Sequence, residues 1–379
     1  MRLRVYQLLL CVACLYLPVT ALAQNTQPDN SELNRQIAEL YAKGKFDDAI
    51  DVAERVVAIE KKAAKGTLDH AQALANLGKI HKEKARSIRS GLSSLQSSQR
   101  AKAVSNANNS ADKGKKYYRE AIEIHSELNG AQSIDAAAAM NELAWLVYNF
   151  THADSGAAHR AQIDEAEELY TRAVKLYESA GTTTVQLHLQ ALQDFADFYM
   201  KYVNFEKAYP LYEKHVALVE NKFGRNDARL VPGLRGLAQI LAITERKDDA
   251  EKLRARIASI TGRAESREID LPLLRYRARK VANVSSDEFL PTDPTDVSRT
   301  RSIIQTYGGV YPYVIANYQS LEVAVLVDEK GDVIEAKALK PSKYEKKIEE
   351  AAMNSKFRPF IYNDTPQKMR GKIVFMYRN

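Results

Sequence analysis

The chain has 379 residues, of which 45% are hydrophobic and 27% are charged, a composition typical of an ordinary soluble protein. The 55 Lys and Arg residues exceed the 48 Asp and Glu residues by a formal net charge of +7, and the basic residues are spread along the chain. This charge distribution argues against nucleic-acid binding, for which a basic patch or stripe is expected.

The first 23 residues have the pattern of a secretory signal peptide. Basic residues at the start precede an apolar stretch over 5–19, and Ala23 ends a small-x-small cleavage site directly before Gln24. Cys11 and Cys14 both lie in this stretch, so we interpret their C-x-x-C spacing as coincidental. We expect cleavage and export. An uncleaved inner-membrane anchor is the alternative, because the apolar stretch is near the lower length limit for a membrane span.

Residues 24–265 repeat a pattern of paired helices. A five-residue pattern, with apolar residues at its first and fourth positions and a small residue at its fifth, recurs at 74–78, 140–144, 192–196 and 234–238. The intervals of 66, 52 and 42 residues correspond to a period near 42 with insertions at 88–109 and 152–161. Repetition at such a period predicts a helical solenoid, here of about five helix pairs. The first insertion is rich in Ser, Asn and Gln, which predicts a loop or an extended helix projecting into solvent.

Small residues in the second helices, such as Ala173 and Ala208, lie where neighbouring helices would approach closely. The region resembles the tetratricopeptide repeat, and its long period resembles the kinesin-light-chain type of that repeat. In such a solenoid the first helix of each pair lines a concave groove. The predicted groove residues are Asn76, Lys79, Asn141, Trp145, Tyr148, Gln193, Asp197, Arg235 and Gln239. Trp145 is either a core residue or a binding hot spot.

The composition changes after residue 265. Residues 266–300 contain Pro291 and Pro294 among several Asp and Ser residues, which predicts a linker between two domains. The densest basic cluster of the chain lies within it at 275–280. We interpret this cluster as a solvated face, with contact to anionic lipid or cell-wall polymer as the alternative.

Residues 301–379 predict a small domain of strands and one helix. Alternating apolar residues at 321–328 and a second strand at 333–339 flank a turn at Gly331, which is the signature of a β-hairpin. An amphipathic helix over 342–356 and a closing strand follow. Because the chain ends in this strand, we expect an exposed edge that binds a partner. Its residues are Lys372, Ile373, Val374, Phe375, Met376, Tyr377 and Arg378.

This order of elements resembles the C-terminal domain of TonB, the periplasmic protein that couples inner-membrane energy to outer-membrane receptors. The residues that carry the resemblance are Tyr311-Pro312, the hairpin, the helix, Phe357-Arg358-Pro359-Phe360 and the strand over 371–378. It covers the last fifth of the chain. The resemblance implies a periplasmic protein that contacts outer-membrane receptors, or an inner-membrane energising complex, by adding a peptide strand to the exposed edge.

No catalytic or metal-binding motif is present, and the seven histidines lie in separate repeats or loops without ligand spacing. We therefore predict a non-enzymatic protein without cofactors, in which a helical solenoid precedes a small αβ domain. The predicted function is that of an exported interaction protein resembling a TonB-type energy transducer. The alternative is a periplasmic scaffold or envelope-assembly factor whose TonB-like domain only docks or dimerises. The expected partners are proteins. The sequence leaves open a peripheral contact with the membrane and the formation of a homodimer.

Overall fold

The computed structural model describes residues 30–130, 133–150, 156–274, 289–291, 318–362 and 364–378. Three sequence predictions lie outside these residues. They are the signal peptide with its cleavage site at Ala23 and Gln24, the basic cluster at 275–280, and the Tyr311-Pro312 pair. Among the helices of the described part, none is long and apolar enough to cross a membrane.

Ten α-helices lie in the described residues between 30 and 274 and form five consecutive pairs. The first helices are α1 (Ser31–Ala42), α3 (Leu68–Ser90), α5 (Ile134–Asn149), α7 (Val185–Lys201) and α9 (Leu230–Ile243). The second helices are α2 (Phe46–Ala63), α4 (Ser97–Asn129), α6 (Gly156–Ala180), α8 (Phe205–Phe223) and α10 (Lys247–Thr261). This arrangement is a tetratricopeptide-like solenoid, as the repeat spacing predicts.

The turn inside a helix pair has the same backbone geometry in three of the pairs. Gly44, Val203 and Glu245 take positive φ angles of 70°, 56° and 61°. The next residue then donates its N–H to the carbonyl five residues earlier, from Lys45 to Leu40, from Asn204 to Tyr199 and from Arg246 to Leu241, each at 2.9 Å. Such a left-handed residue with this hydrogen bond ends a helix and reverses the chain. Val203 and Glu245 are 42 residues apart, which matches the predicted period.

Small residues let neighbouring helices approach closely. Ala166, Ala173 and Ala208 on the second helices are fully buried. Gly236 in α9 faces the ring of Tyr212 in α8, and a Cβ at this glycine would lie only 2.4 Å from that ring. The small residues that were predicted to lie at close approaches, Ala173 and Ala208, are therefore inside the packed solenoid.

A bulky substitution at one of these positions tests the repeat register, that is, which residues of each helix face the neighbouring helices. Replacing Ala208 with Phe should lower the free energy of unfolding by about 1–3 kcal/mol, because the site is fully buried. Gln193→Ala is the control, since the Gln193 amide bonds only to Asp197 on its own helix among the contacts described here; its effect should stay within about 0.5 kcal/mol. Urea denaturation measures both. Equal losses in the two variants would contradict this register.

The first insertion lengthens both helices of the second pair. α3 has 23 residues and α4 has 33, and a short 3-10 turn over Leu92–Ser94 joins them. Ala85 in α3 and Ala107 and Ala111 in α4 are buried along these extensions. Of the two predicted forms, the extended helix is therefore the one present.

The C-terminal region contains a four-stranded antiparallel sheet in the order β1-β6-β2-β3. Its strands are β1 (Phe289–Pro291), β2 (Tyr318–Val327), β3 (Val333–Ala338) and β6 (Met369–Arg378). The helix α11 (Glu345–Met353) buries Ile348, Ala351 and Ala352 against it. A separate hairpin consists of β4 (Phe360–Tyr362) and β5 (Thr365–Gln367). The predicted β2–β3 hairpin, helix and closing strand are all present.

The expectation of an exposed edge along the closing strand is wrong. β6 pairs with β2 over its whole length, from Arg378 opposite Tyr318 to Met369 opposite Val327. On its other side, Phe289–Pro291 pair with Phe375 to Tyr377, and the Lys372 N–H donates to the Pro272 carbonyl over 2.9 Å. Earlier segments of the chain cover this side. The predicted edge residues Lys372, Ile373, Val374, Phe375, Met376, Tyr377 and Arg378 thus belong to an internal strand.

The predicted linker at 266–300 also needs correction, because two parts of it are structured. Residues 265–274, which we name the returning segment, run back along α9 after α10 ends and reach β6. Residues 289–291 form β1. The other residues of the predicted linker lie outside the described part of the chain.

The β4–β5 hairpin and β6 pack against the last two helix pairs. The aromatic contacts are Phe205 with Phe360 and Tyr209 with Tyr362, at ring-centroid distances of 5.6 and 4.8 Å. Arg370 in β6 forms an ion pair with Glu245, the left-handed residue of the α9–α10 turn. Phe205 and Phe360 are both buried, so the solenoid and the sheet share one hydrophobic core.

A double-mutant cycle tests this shared core. Phe205→Leu and Phe360→Leu should each reduce stability, and the two losses should couple by about 0.5–1 kcal/mol because the rings form an edge-to-face pair. The control cycle pairs Phe205→Leu with Phe46→Leu, whose ring packs on Tyr41 in the first helix pair; these losses should add. Urea unfolding measures both cycles, and additivity in the first would mean that the β4–β5 hairpin does not dock on α8.

Candidate protein-interaction groove

The predicted groove residues lie on the first helices of four successive pairs. Asn76 and Lys79 are in α3, Asn141, Trp145 and Tyr148 in α5, Gln193 and Asp197 in α7, and Arg235 and Gln239 in α9. The last four of these residues line a single cavity of about 560 Å³. Lys79 is exposed and Asn76 is half-buried, so the α3 end of the groove remains open to solvent.

Two of the predicted groove residues are buried instead. Asn141 and Tyr148 are only 5% and 6% exposed. The Tyr148 ring packs against Tyr170 and Phe198 at centroid distances of 6.2 and 5.4 Å. The prediction failed for these two residues because α5 is covered on most of its circumference, with ten buried residues among its 16. A helix that is apolar nearly all round gives little information on which side faces a groove.

Trp145 occupies an intermediate position, half-buried at the edge of the core. Its indole lies near the rings of Tyr148 and Phe150, at centroid distances of 6.5 and 6.1 Å. The ammonium group of Lys82 lies 4.8 Å from the indole centroid, within the range of a cation–π interaction. The tryptophan therefore has a core side and a side covered by a lysine from the preceding pair.

A chain of polar side chains, which we name the groove network, links three first helices. Lys82 in α3 forms an ion pair with Glu142 in α5. In α7, the Asp194 carboxylate accepts hydrogen bonds from Asn141 and Gln190, both at 2.8 Å. Burial raises the pKa of Asp194 to about 6, and the Asn141 hydrogen bond opposes this shift.

Four members of the groove network were not predicted from the sequence, namely Lys82, Glu142, Gln190 and Asp194. The available signal for Lys82 was its spacing of three residues from Lys79, which puts both on one side of α3. The positions of Glu142 and Asp194, each next to a predicted groove residue, gave no comparable signal. Their roles depend on how α5 and α7 are rotated against each other.

Asp197 lies further along the groove, where it receives hydrogen bonds from two helices. The Tyr212 hydroxyl in α8 donates to its carboxylate over 2.5 Å, and the Gln193 amide donates over 3.1 and 3.2 Å. Removal from water raises the pKa of Asp197, while these donors lower it. This carboxylate presents a fixed acceptor to the cavity.

The α9 end of the groove is occupied by the returning segment. Arg235 binds the Glu265 carboxylate with two hydrogen bonds, at 2.7 and 3.0 Å. One helical turn later, the Gln239 amide donates to the main-chain carbonyl of Asp270 over 2.9 Å. The groove thus binds a non-helical stretch of polypeptide through one side-chain carboxylate and one main-chain carbonyl.

The cavity lies between this segment and α7. Its apolar walls include Met200, Ile243, Leu271 and Leu273. Its charged walls include Asp197, Lys201, Arg235 and Lys372. Across the described residues, no group of three or more His, Cys, Asp or Glu side chains is arranged to hold a metal ion. The lining offers hydrogen-bonding, ionic and apolar contacts of the kinds that a peptide requires.

Comparisons with known proteins give only low similarities. No protein-family model matches the chain, and no curated protein matches it. Two crystal structures of a Podosopora anserina putative kinesin light chain with nearly identical tetratricopeptide-like repeats are each 16% identical to it, with TM-scores of 0.47 and 0.45. They cover 63% and 62% of this chain and 98% and 95% of their own. BtubC (BKLC) of P. vanneervenii is also 16% identical, covers 63% of this chain and 99% of its own, and has a TM-score of 0.37. The solenoid assignment therefore depends on the helix pairs and turns themselves.

The groove network predicts a pH dependence of stability. Because the pKa of Asp194 is about 6 in the folded chain and near 3.8 in a model compound, the folded state binds more protons between these values. The contribution of the Asp194 carboxyl to the free energy of unfolding therefore falls as pH rises from about 4 to 6. Asp194→Asn should remove this fall, so that the variant gains about 1–3 kcal/mol over the wild type between pH 4 and pH 7. Urea unfolding of both proteins across this pH range measures the difference. If the stabilities of the variant and the wild type change in parallel with pH, the raised pKa of Asp194 is contradicted.

Proposed function

We propose that this chain is a protein–protein interaction scaffold that binds a peptide segment of its partner in the groove formed by α3, α5, α7 and α9. The observation that supports this most directly is the returning segment, because the groove side chains of Arg235 and Gln239 already hold polypeptide there. The solenoid fold supports it as well, since stacked helix pairs present long concave binding surfaces.

A role as a TonB-type transducer receives less support, because strand addition requires an open sheet edge. β6 is paired on both sides. At the opposite edge, the Ala338 N–H of β3 donates to the Glu349 carboxylate, and the Phe357 N–H donates to the Gly331 carbonyl, each over 2.8 Å. The first of these bonds engages the C-terminal end of that short edge strand, and the second engages the turn that precedes it. In this proposal the sheet is a docked module, and the solenoid selects the partner.

Export is part of the proposal and is supported by the signal-peptide pattern of residues 1–23. The partner would accordingly be another exported or envelope protein. Intact-mass measurement of the protein purified from its source cells tests this part. We expect a chain that begins at Gln24, and a chain that retains Met1 would contradict it.

Charge reversal at the open end of the groove tests the scaffold function. Lys79 is an exposed groove residue of α3, whereas Lys116 is an exposed residue of α4, the second helix of the same pair. Affinity capture from an extract of the source cells, followed by quantitative mass spectrometry, should show that Lys79→Glu lowers the yield of at least one partner by about fivefold or more. Lys116→Glu makes the same charge change and should retain that partner. If both variants capture the same proteins in the same amounts, the groove is not the binding surface.

A further inference from the structure

We propose that the returning segment is a resident ligand of the groove, and that the partner of this protein presents an acidic, non-helical peptide that competes with the segment for Arg235 and Gln239. This inference rests on the proposed scaffold function and adds the chemistry of the partner. It also assigns residues 265–274 a role beyond that of a connection between domains.

The first support is the way in which the groove holds the segment. The Arg235 guanidinium makes a two-point contact with the Glu265 carboxylate, at 2.7 and 3.0 Å, which is a geometry specific for carboxylates. The Gln239 amide donates to a main-chain carbonyl, at Asp270, and such a bond is available from any peptide. A competing peptide therefore needs a carboxylate and, five residues later, an accessible carbonyl.

The second support is the apolar character of the next residues of the segment. Leu271, Pro272 and Leu273 line the cavity of about 560 Å³ together with the apolar side chains of Met200 and Ile243. The cavity is large enough to accept bulkier side chains than the segment supplies. A partner with larger apolar residues at the corresponding positions would bury more surface than the resident segment does.

The third support is that the segment is anchored at both ends by contacts that differ in kind. Glu265 is held by the solenoid through Arg235. Pro272 and Leu273 pair with Lys372 of β6, and Leu274 is fully buried against Gly371. A Cβ at Gly371 would lie only 2.4 Å from the Leu274 side chain, so this close contact requires glycine. Either anchor can therefore be weakened without changing a groove residue.

The test uses a fluorescent synthetic peptide with the sequence of residues 264–274 as the probe, and fluorescence anisotropy as the readout. In the full chain the resident segment competes at the high effective concentration of a tethered ligand, so the peptide should bind weakly. Glu265→Arg places an arginine against Arg235, and Gly371→Ala displaces Leu274. Each variant should free the site and bind the peptide about five- to tenfold more tightly than the wild type.

Two control variants make the interpretation specific. Glu268→Arg makes the same charge change three residues away, at an exposed position, and should behave like the wild type. The double variant Arg235→Glu with Glu265→Arg restores an ion pair of reversed polarity, and it is titrated with a second peptide of the same residues that carries Arg in place of Glu265. Arg235→Glu alone should bind this second peptide, and the double variant should exclude it. Circular dichroism melts confirm that each variant is folded before it is titrated.

The outcomes separate this inference from the scaffold function. Tighter binding by the two release variants, Glu265→Arg and Gly371→Ala, together with exclusion by the double variant, supports the proposal that the returning segment is a resident ligand. Equal affinity in all folded variants, or no binding by either release variant, overturns it. The comparison of Lys79→Glu with Lys116→Glu does not involve the peptide, so that separate measurement tests the scaffold function on its own.

Discussion

The pairing of β6 on both of its sides is the interaction on which the arrangement of the C-terminal sheet depends. β2 covers one side, while the Pro272 carbonyl and β1 cover the other. A strand edge with unpaired N–H and C=O groups is a site for pairing with another chain, and here the protein fills it with its own backbone. The segment that does so at Pro272 has also passed along α9, so the sheet and the groove share one piece of polypeptide.

The contacts that hold this piece differ in strength. An exposed ion pair such as Arg235–Glu265 contributes about 0–1 kcal/mol, and a neutral hydrogen bond such as that from Gln239 contributes about 0.5–1.5 kcal/mol. Complete burial of a leucine such as Leu274 contributes about 1.5–3 kcal/mol. The sheet end is therefore the stronger anchor. A competitor needs to displace only the groove end, and the segment can rebind without searching for the site.

The parts of the fold that repeat or alternate locally could be predicted from the sequence. The helix pairs follow from recurring apolar residues, and the β2–β3 hairpin follows from the alternation around Gly331. The partner of β6 could not be predicted in this way, because Phe289–Pro291 is short and lies some 80 residues away in the chain. Pairing between distant segments leaves no periodic signal in either one. The rotation of α5, which buries Asn141 and Tyr148, escaped prediction because that helix is apolar nearly all round.

The groove has two different parts. The groove network crosslinks its central helices, and the returning segment occupies its α9 end. At its centre, the groove network ties α3, α5 and α7 together, and its half-buried carboxylate Asp194 is already engaged by the amides of Asn141 and Gln190. Exposed charged side chains lie on both sides of this network, namely Lys79 in α3 and, further along the groove, Asp197 in α7 and Arg235 in α9. The cations at the two ends favour acidic residues of a partner, in agreement with the glutamate that occupies the α9 end, whereas the Asp197 carboxylate between them favours a hydrogen-bond donor. The stacking of the helix pairs fixes the spacing between these charged side chains, so it would select partners by the distance between their own charged residues.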